Sequence, residues 1–421
     1  LARCSITDEG LQHLTKLENL EELDLNGCVR ISSAALGEAL GKLIHLTSLD
    51  VSYCPGILRS SWQGKIKSLK SLELCYSGVR DSHLARLRSL PNLEELNLDS
   101  CIVADWGVAH LVDNGVVPNL TALDLADTEI SDAAMGKIAR LKHIRHLSLF
   151  YCNISNRGLR HIASMSSLEV LNLDSRDIGD DGLKYLRGLP LTSLDLFSSR
   201  VTDLGCAHLS KIKTLTSLEL CGGGIGDLGC AHLATLSNLT SLNLSQNEGI
   251  SNRGAASLAA LANLKALNLS NTCVTPDALK FFGGLRMLQS LALYGCKDMD
   301  DGSDERLGAL QSELPSLRCL RLNIPSNDDG VIEHNVETDD EEEGEEEDNG
   351  AYYEELDDEE NEYDVSQQGL LAHIDHDQLN NNGGSESVGS SSESSSMSDF
   401  QDAHNEVQSV DSTSQGRNMD Y

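Results

Sequence analysis

The sequence predicts an α/β solenoid, a stack of strand-plus-helix units, followed by a disordered acidic tail. Three observations lead to this prediction. A leucine motif recurs with a period of mostly 23 to 25 residues, a Thr/Ser-Asp-x-Gly signature recurs between its copies, and the composition changes abruptly near residue 324. Internal repeats at such a period indicate architectures in which each unit buries its apolar face only against its neighbours.

The strands are predicted by the motif L-x-x-L-x-L, in which Ile or Val replaces one Leu in two copies. Side chains alternate along a strand, so the last two apolar residues point to one side and the residue between them to the other. Stacked strands then form a parallel sheet with leucine inside and a concave outer face. The period lies within the roughly 20–29 residues of leucine-rich repeats, so we expect a leucine-rich-repeat horseshoe. The motif begins at Leu20, Leu46, Leu69, Leu93, Leu120, Ile144, Leu168, Leu191, Leu215, Leu239, Leu264, Leu288 and Leu317.

A turn after each strand is predicted by a small side chain three positions beyond the last Leu. We expect this side chain to satisfy backbone groups of a turn that points inward. The position holds Cys28, Cys54, Ser77, Cys101, Thr128, Cys152, Asn247, Thr272 and Cys296.

Convex helices are predicted by the signature that follows the turn, as in Ile6-Thr7-Asp8-Glu9-Gly10. Thr or Ser is expected to cap the free N–H groups of the first turn, and Asp to oppose the positive end of the helix dipole. Apolar residues then follow at helical spacing, as at Leu11 and Leu14.

The chain divides into a solenoid at 1–323 and a tail at 324–421. The tail contains 30 Asp and Glu residues against a single basic residue, Arg417, and so carries −29 of the total net charge of −34. Such a segment cannot bury enough apolar surface to offset its ordering entropy, which predicts disorder. We interpret it as a solubilising tail, with docking of basic proteins as the alternative. Because residues 1–4 match 25–28, we expect the solenoid to be truncated and to begin upstream of Leu1.

Cysteine usage indicates the compartment. Six of the twelve cysteines, Cys4 and the five listed above, recur in the turn position, which suggests buried free thiols instead of a disulfide framework. Free thiols favour the cytoplasm or the nucleus. No apolar run approaches the roughly 18 residues of a membrane span, so we expect no membrane association.

The predicted concave face is the candidate binding site, because a curved sheet offers an extended surface. Its outward positions carry an acidic row, and aromatic residues, only 4% of the chain, lie beside that row. Exposed aromatic side chains often anchor protein interfaces, whereas acidic side chains repel the phosphates of nucleic acid. We therefore expect a protein partner and no nucleic acid, bound by Asp50, Glu73, Asp124, Phe150, Tyr151, Asp195, Phe197, Glu219 and Tyr294.

The segment Gly224–Gly229 spells G-x-G-x-x-G, the dinucleotide fingerprint. The repeat explains it better, because Gly229 fills a position that also holds Gly205 and Gly254, and no doubly wound sheet is predicted around it.

Cys206 and His208, repeated at Cys230 and His232, suggest metal or thiol chemistry. Residues two apart on a helix do not share a face, and paired zinc-ligand spacings are lacking. The sequence therefore predicts no catalytic, cofactor or metal site, and a protein that is not an enzyme.

Written as L-x-x-L-x-L-x-x-C-x-x-I-T-D-x-G-L, the repeats of 1–323 resemble the cysteine-containing class of leucine-rich repeats, common in F-box substrate receptors of ubiquitin ligases. The stretch from Leu194 to Asn247 looks particularly like a family of intracellular plant leucine-rich-repeat proteins. The resemblance implies a non-enzymatic interaction scaffold that recruits substrates for SCF-type ubiquitin-dependent degradation, with an F-box expected only upstream of Leu1. Arg176, Ser199 and Gly223 depart from the cysteine pattern.

Two further resemblances leave alternative functions open. Leucine-rich repeats followed by an acidic tail resemble the acidic nuclear phosphoproteins, which implies binding of histones or other basic proteins. The same combination resembles Ran-type GTPase-activating proteins, although their repeats are longer.

Overall fold

The computed structural model describes residues 1–58, 66–173, 177–297, 299 and 305–322. Within them short strands alternate with short helices, and the predicted leucine-rich-repeat solenoid is confirmed. The acidic tail at 324–421 and Arg176 lie outside the described residues, so disorder and docking of basic proteins there stay predictions.

One open, parallel sheet runs through the described residues. It contains thirteen strands, and each strand pairs with its neighbours in chain order. Each strand is three residues long: β1 Glu22–Asp24, β2 Ser48–Asp50, β3 Ser71–Glu73, β4 Glu95–Asn97, β5 Ala122–Asp124, β6 His146–Ser148, β7 Val170–Asn172, β8 Ser193–Asp195, β9 Ser217–Glu219, β10 Ser241–Asn243, β11 Ala266–Asn268, β12 Ser290–Ala292 and β13 Cys319–Arg321.

The helices connect successive strands. None of those described is long and apolar enough to cross a bilayer. They are α1 Asp8–Leu14, α2 Ser33–Leu40, α3 Asp81–Leu84, α4 Asp105–Asp113, α5 Asp132–Ile138, α6 Asn156–Ile162, α7 Asp180–Leu183, α8 Asp203–Leu209, α9 Asp227–Leu233, α10 Asn252–Leu258, α11 Leu279–Phe282 and α12 Glu305–Glu313, with 3-10 turns at Ala85–Ser89 and Pro276–Ala278.

The core is a ladder of leucines that the strand register builds. Leu49 pairs with Leu72 and Leu72 with Leu96, and the apolar residue that follows nearly every strand, such as Leu74, is fully buried as well. Each repeat therefore covers the leucines of the next, and the hydrophobic contribution to stability comes from contacts between repeats.

The turn position points inward, as predicted. The thiols of Cys101 and Cys152 donate to the carbonyl oxygens of Leu74 and Leu125 in the preceding repeat, at 3.1 and 3.0 Å. Thr128 instead donates to the Leu125 carbonyl of its own repeat, at 2.5 Å. These small side chains satisfy carbonyl groups that the strand ladder leaves buried.

The helix-start signature links neighbouring repeats as well as capping helices. The backbone N–H of Ser131 donates to the Asp105 carboxylate of the preceding repeat at 2.8 Å, and its hydroxyl donates to the other oxygen at 2.5 Å. The Ser131 oxygen also accepts the Ala133 N–H of its own helix, as predicted, but Thr7 makes no such bond and the capping prediction is wrong there. We call the set of carboxylate or amide groups that reach the next repeat the aspartate ladder: Asp8, Asp81, Asp105, Asp132, Asn156, Asp180, Asp203, Asp227 and Asn252.

The recurrent glycine of the signature makes room for this ladder. The Gly254 N–H donates to the Asp227 carboxylate at 2.8 Å, and a Cβ at Gly254 would lie 2.8 Å from the same oxygen. Real Cβ atoms do not approach oxygen so closely, so the position requires glycine for close packing. Gly229 lies in the equivalent position, which accounts for the last glycine of the 224–229 fingerprint.

Candidate functional site

The outward residues of the strands form what we call the sheet face, the face that the sequence predicts to be concave. In most strands the central leucine is buried and the residues on either side of it are half-buried. The predicted acidic residues all occupy the third position of a strand, where the register aligns them in a row: Asp50 on β2, Glu73 on β3, Asp124 on β5, Asp195 on β8 and Glu219 on β9.

The aspartates of this row also have a structural role, which sequence reasoning missed. Asp124 accepts the backbone N–H of Ala126, two residues ahead, at 2.9 Å, and Asp195 accepts that of Phe197 at 2.9 Å. Asn243 makes the same bond without a charge. The short side chain therefore closes the turn at the end of the strand with one of its oxygens.

The two glutamates of the acidic row have matching neighbours. Glu73 lies in register between Asp50 and Asn97, and Glu219 lies in register between Asp195 and Asn243. We call these two sets the Asp–Glu–Asn triplets, the first formed by Asp50, Glu73 and Asn97 and the second by Asp195, Glu219 and Asn243.

Burial changes the acidity of both glutamates. Burial raises the pKa of Glu219 to about 7. A hydrogen bond from Asn243 lowers this pKa, and the nearby Asp195 carboxylate raises it further. Burial likewise raises the pKa of Glu73, opposed by Asn97 and reinforced by Asp50. The Oε1 atom of Glu219 is buried and has no hydrogen-bond partner among the described residues. An unpaired buried carboxylate oxygen is costly, which is why such groups often mark binding positions.

The turn that follows each strand places one residue in the left-handed region. Tyr53, with φ of 56°, and Tyr76, with φ of 51°, adopt this conformation, which Gly adopts at Gly27 in the preceding repeat. Bulky side chains rarely do so. The backbone N–H of Tyr53 donates to the carbonyl of Cys75 at 2.8 Å and so extends the sheet ladder into the turn.

The rings of Tyr53 and Tyr76 stack, with centroids 4.9 Å apart and planes 9° apart. The distance matches the spacing of about 4.7–4.9 Å between neighbouring strands, so the ladder itself sets the stacking. The two side chains are nevertheless 48% and 51% exposed. Sequence reasoning missed this pair, although Tyr in the same position of two consecutive repeats was the available signal.

The predicted aromatic residues lie along the same edge of the sheet. Phe150, Phe197 and Tyr294 directly follow the last leucine of the motif in their repeats, and Tyr151 occupies the left-handed turn position. Phe150 is half-buried and packs edge-on against Tyr151, which is 69% exposed. We call Tyr53, Tyr76, Phe150, Tyr151, Phe197 and Tyr294 the aromatic edge.

The structure brings some of the predicted site residues together and separates others. Asp50 and Glu73 lie on adjacent strands next to the stacked tyrosines, and Asp195 and Glu219 lie on adjacent strands next to Phe197. Tyr294 follows β12 and is separated from both groups. From Glu73 onward, β3 to β7 line a hollow of about 390 Å³ whose walls also include Glu95, Asn97, Asp124, His146 and Asn172.

The residues considered for metal binding are not gathered. Cys206 is fully buried, whereas His208 is partly exposed and contacts Arg187. Among the described residues, no group of three or more His, Cys, Asp or Glu side chains is arranged to hold a metal ion.

Comparisons with known proteins agree with this geometry at the level of the fold. A family model described as Leucine Rich repeat matches residues 118–139, 140–163, 164–186 and 235–259. The chain is similar to the solved structure of the internalin InlF from Listeria monocytogenes strain 4b F2365, with 22% identity and a TM-score of 0.51, over 76% of this chain and 85% of that one.

Two other solved structures are similar over smaller shares. The internalin InlC2 from the same Listeria strain is 27% identical, with a TM-score of 0.41, over 49% of this chain and 83% of that one. TLR13, solved as a complex with ssRNA13, is 21% identical, with a TM-score of 0.45, over 74% of this chain and 48% of that one. The matched repeats and the fold shared with InlF both indicate a leucine-rich-repeat fold.

Proposed function

We propose that this protein is a non-catalytic receptor that holds a protein partner against the sheet face and its aromatic edge. The observation that supports this proposal most directly is the exposure of stacked tyrosines beside half-buried carboxylates. Aromatic side chains held rigidly at a surface bind partners at a low entropic cost, and they are enriched among the residues that dominate interface energies.

A more specific form of the proposal is that the captured partner is a substrate for SCF-type ubiquitin-dependent degradation. It is supported by the resemblance to cysteine-containing repeats and by the regular use of Cys101 and Cys152 as turn donors. The twelve cysteines, all among the described residues and all free thiols, favour a reducing compartment, the cytoplasm or the nucleus.

The receptor proposal is tested by affinity capture from native lysate with quantitative mass spectrometry. The baits are the full chain, the double variant Phe197→Ala/Tyr294→Ala, and the double variant Tyr53→Ala/Tyr76→Ala. The matched control is Leu204→Ala/Leu228→Ala, which removes two even more exposed apolar side chains from the helices α8 and α9.

We expect at least one aromatic-edge variant to lose most of the captured partner, while the helix-side control keeps it. Equal capture by all baits would overturn the receptor proposal. Enrichment of cullin-ligase subunits together with the partner supports the degradation form, and a partner recovered without them rejects that form alone.

A further inference from the structure

The two Asp–Glu–Asn triplets are built alike. Each places two carboxylates and one amide in register across three consecutive strands, β2–β4 in the first and β8–β10 in the second. In both, the glutamate precedes Leu and Cys, as in Glu73-Leu74-Cys75, and an aromatic residue lies at the edge of the same strands. Six strand steps of about 4.8 Å separate them, so they lie about 29 Å apart along the sheet.

Neither triplet has a cationic partner of its own. The ion pairs recorded among the described residues all lie elsewhere, and none involves Asp50, Glu73, Asp195 or Glu219. Each triplet therefore presents two half-buried carboxylates whose charge is not compensated. The second adds the buried, unpartnered oxygen of Glu219.

The aromatic neighbours suit one kind of cation better than others. A guanidinium group forms paired hydrogen bonds with a carboxylate and stacks on an aromatic face at the same time. Tyr53 and Tyr76 offer such a face beside the first triplet, and Phe197 offers one beside the second. A metal ion prefers oxygen, nitrogen or sulfur ligands, and the rings supply none of these.

We propose that the two triplets are paired docking stations for arginine side chains, so that the partner held on the sheet face is a basic protein segment with two arginine clusters. The assignment rests on the proposed receptor function and names the chemistry of its partner. A spacing of about 29 Å corresponds to about nine residues of extended chain. Occupation of both stations by one segment makes the second contact intramolecular, so a two-cluster segment binds more tightly than either cluster alone.

The test uses the full chain and a fluorescent peptide that carries two Arg-Arg clusters about nine residues apart, with anisotropy as the readout at pH 8. The variant is Glu73→Gln/Glu219→Gln. The matched control is Glu9→Gln/Glu129→Gln, which removes the same charge from exposed positions outside the sheet face. The tail is unchanged in every protein, so a difference in affinity between the variant and the control arises from the substituted residues.

We expect the triplet variant to bind the peptide at least tenfold more weakly and the control to bind within twofold of the parent chain. Equal affinities of variant and control would overturn the proposal. A local readout that needs no variant is the slow alkylation of the partly exposed Cys75, two residues beyond Glu73, followed over a long reaction time because burial raises the pKa of this thiol to about 12. Saturating peptide should slow this reaction while the exposed Cys4 and Cys273 react unchanged, and an unaltered Cys75 rate argues against the first station.

The two proposals fail in different ways. If lysate capture depends on the aromatic edge while the peptide affinity is unchanged by substitution of Glu73 and Glu219, the receptor function stands and the basic segment is rejected. If capture is indifferent to the aromatic edge, the receptor function falls, whatever the peptide does.

Discussion

The backbone N–H of Gly229 donates to the carboxylate of Asp203 at 2.8 Å, and a Cβ built on Gly229 would lie 2.6 Å from that same oxygen. The hydrogen bond and the missing side chain are thus two aspects of one contact. The glycine that resembles part of a nucleotide-binding motif serves the stacking of α8 on α9.

Substituting this glycine should therefore disturb the junction between two repeats. We expect Gly229→Ala to lower the free energy of unfolding by about 2 kcal/mol, the usual cost of overpacking a tight contact. Gly188→Ala is the matched control, because a Cβ there meets no atom within 4 Å. Urea denaturation of both variants decides the question, and similar midpoints would contradict the packing argument.

The aspartate ladder predicts a difference between losing an acceptor and losing a charge. Asp227 accepts the Ser251 N–H, the Ser251 hydroxyl and the Gly254 N–H, each at 2.8 Å. Asp227→Ala should cost about 2 kcal/mol, since it leaves donors at the junction unpaired. Asp227→Asn should keep most of that stability, because Asn252 accepts the backbone N–H of Thr275 in the equivalent place at 2.9 Å. Urea titrations that show equal losses of stability in the two variants would show that the charge, not the acceptor, matters.

Glu219 should make stability depend on pH in a defined direction. Its pKa, near 4.5 in the unfolded chain, is raised to about 7 by burial and by Asp195, against the bond from Asn243 and the backbone N–H of Cys221. The neutral side chain therefore favours folding below pH 4.5, and this contribution is lost as the pH rises through about 7.

We expect Glu219→Gln to match the parent chain near pH 4.5 and to exceed its stability by about 1–2 kcal/mol at pH 8, a figure already reduced for partial exposure to solvent. The control is Glu248→Gln, at an exposed position in the following repeat. Denaturation curves at the two pH values measure the effect, and a stability gain that is independent of pH would contradict its assignment to ionisation.

Thiol reactivity should follow position in the repeat. Burial raises the pKa of Cys54 to about 11 and that of Cys230 to about 12, so neither thiol ionises appreciably near neutral pH. Cys4 and Cys273 are exposed. We expect isotope-coded alkylation of the native protein to label Cys4 and Cys273 first, and early labelling of Cys54 would be incompatible with the buried turn.

The strands and their order could be predicted from sequence because the determining pattern is local and repeats. Leu49, Leu72 and Leu96 occupy the same phase of successive units, and stacking in chain order is the arrangement that covers all of them. The acidic row could be predicted for the same reason, because its residues share one position of the repeat. The burial that raises the pKa of Glu73 and Glu219 could not be predicted in this way, because it depends on how the neighbouring strands pack around each carboxylate.

Contacts between repeats were harder to foresee. Asp105 was expected to serve its own helix, yet it accepts two bonds from Ser131 in the next repeat. The stack of Tyr53 on Tyr76 depends on the distance between strands and on a left-handed turn, which no single repeat reveals. Such features arise where two copies of a pattern meet, and alignment of the repeats beneath one another is what exposes them.

The aspartate ladder also gives the stack a direction. Every rung reaches from an earlier repeat to a later one, so a completed repeat presents an acceptor already fixed in place for the backbone of its successor. A ribosome delivers the repeats in that same order. Each newly emerged repeat would thus fold against the one before it, and the solenoid would form repeat by repeat during translation.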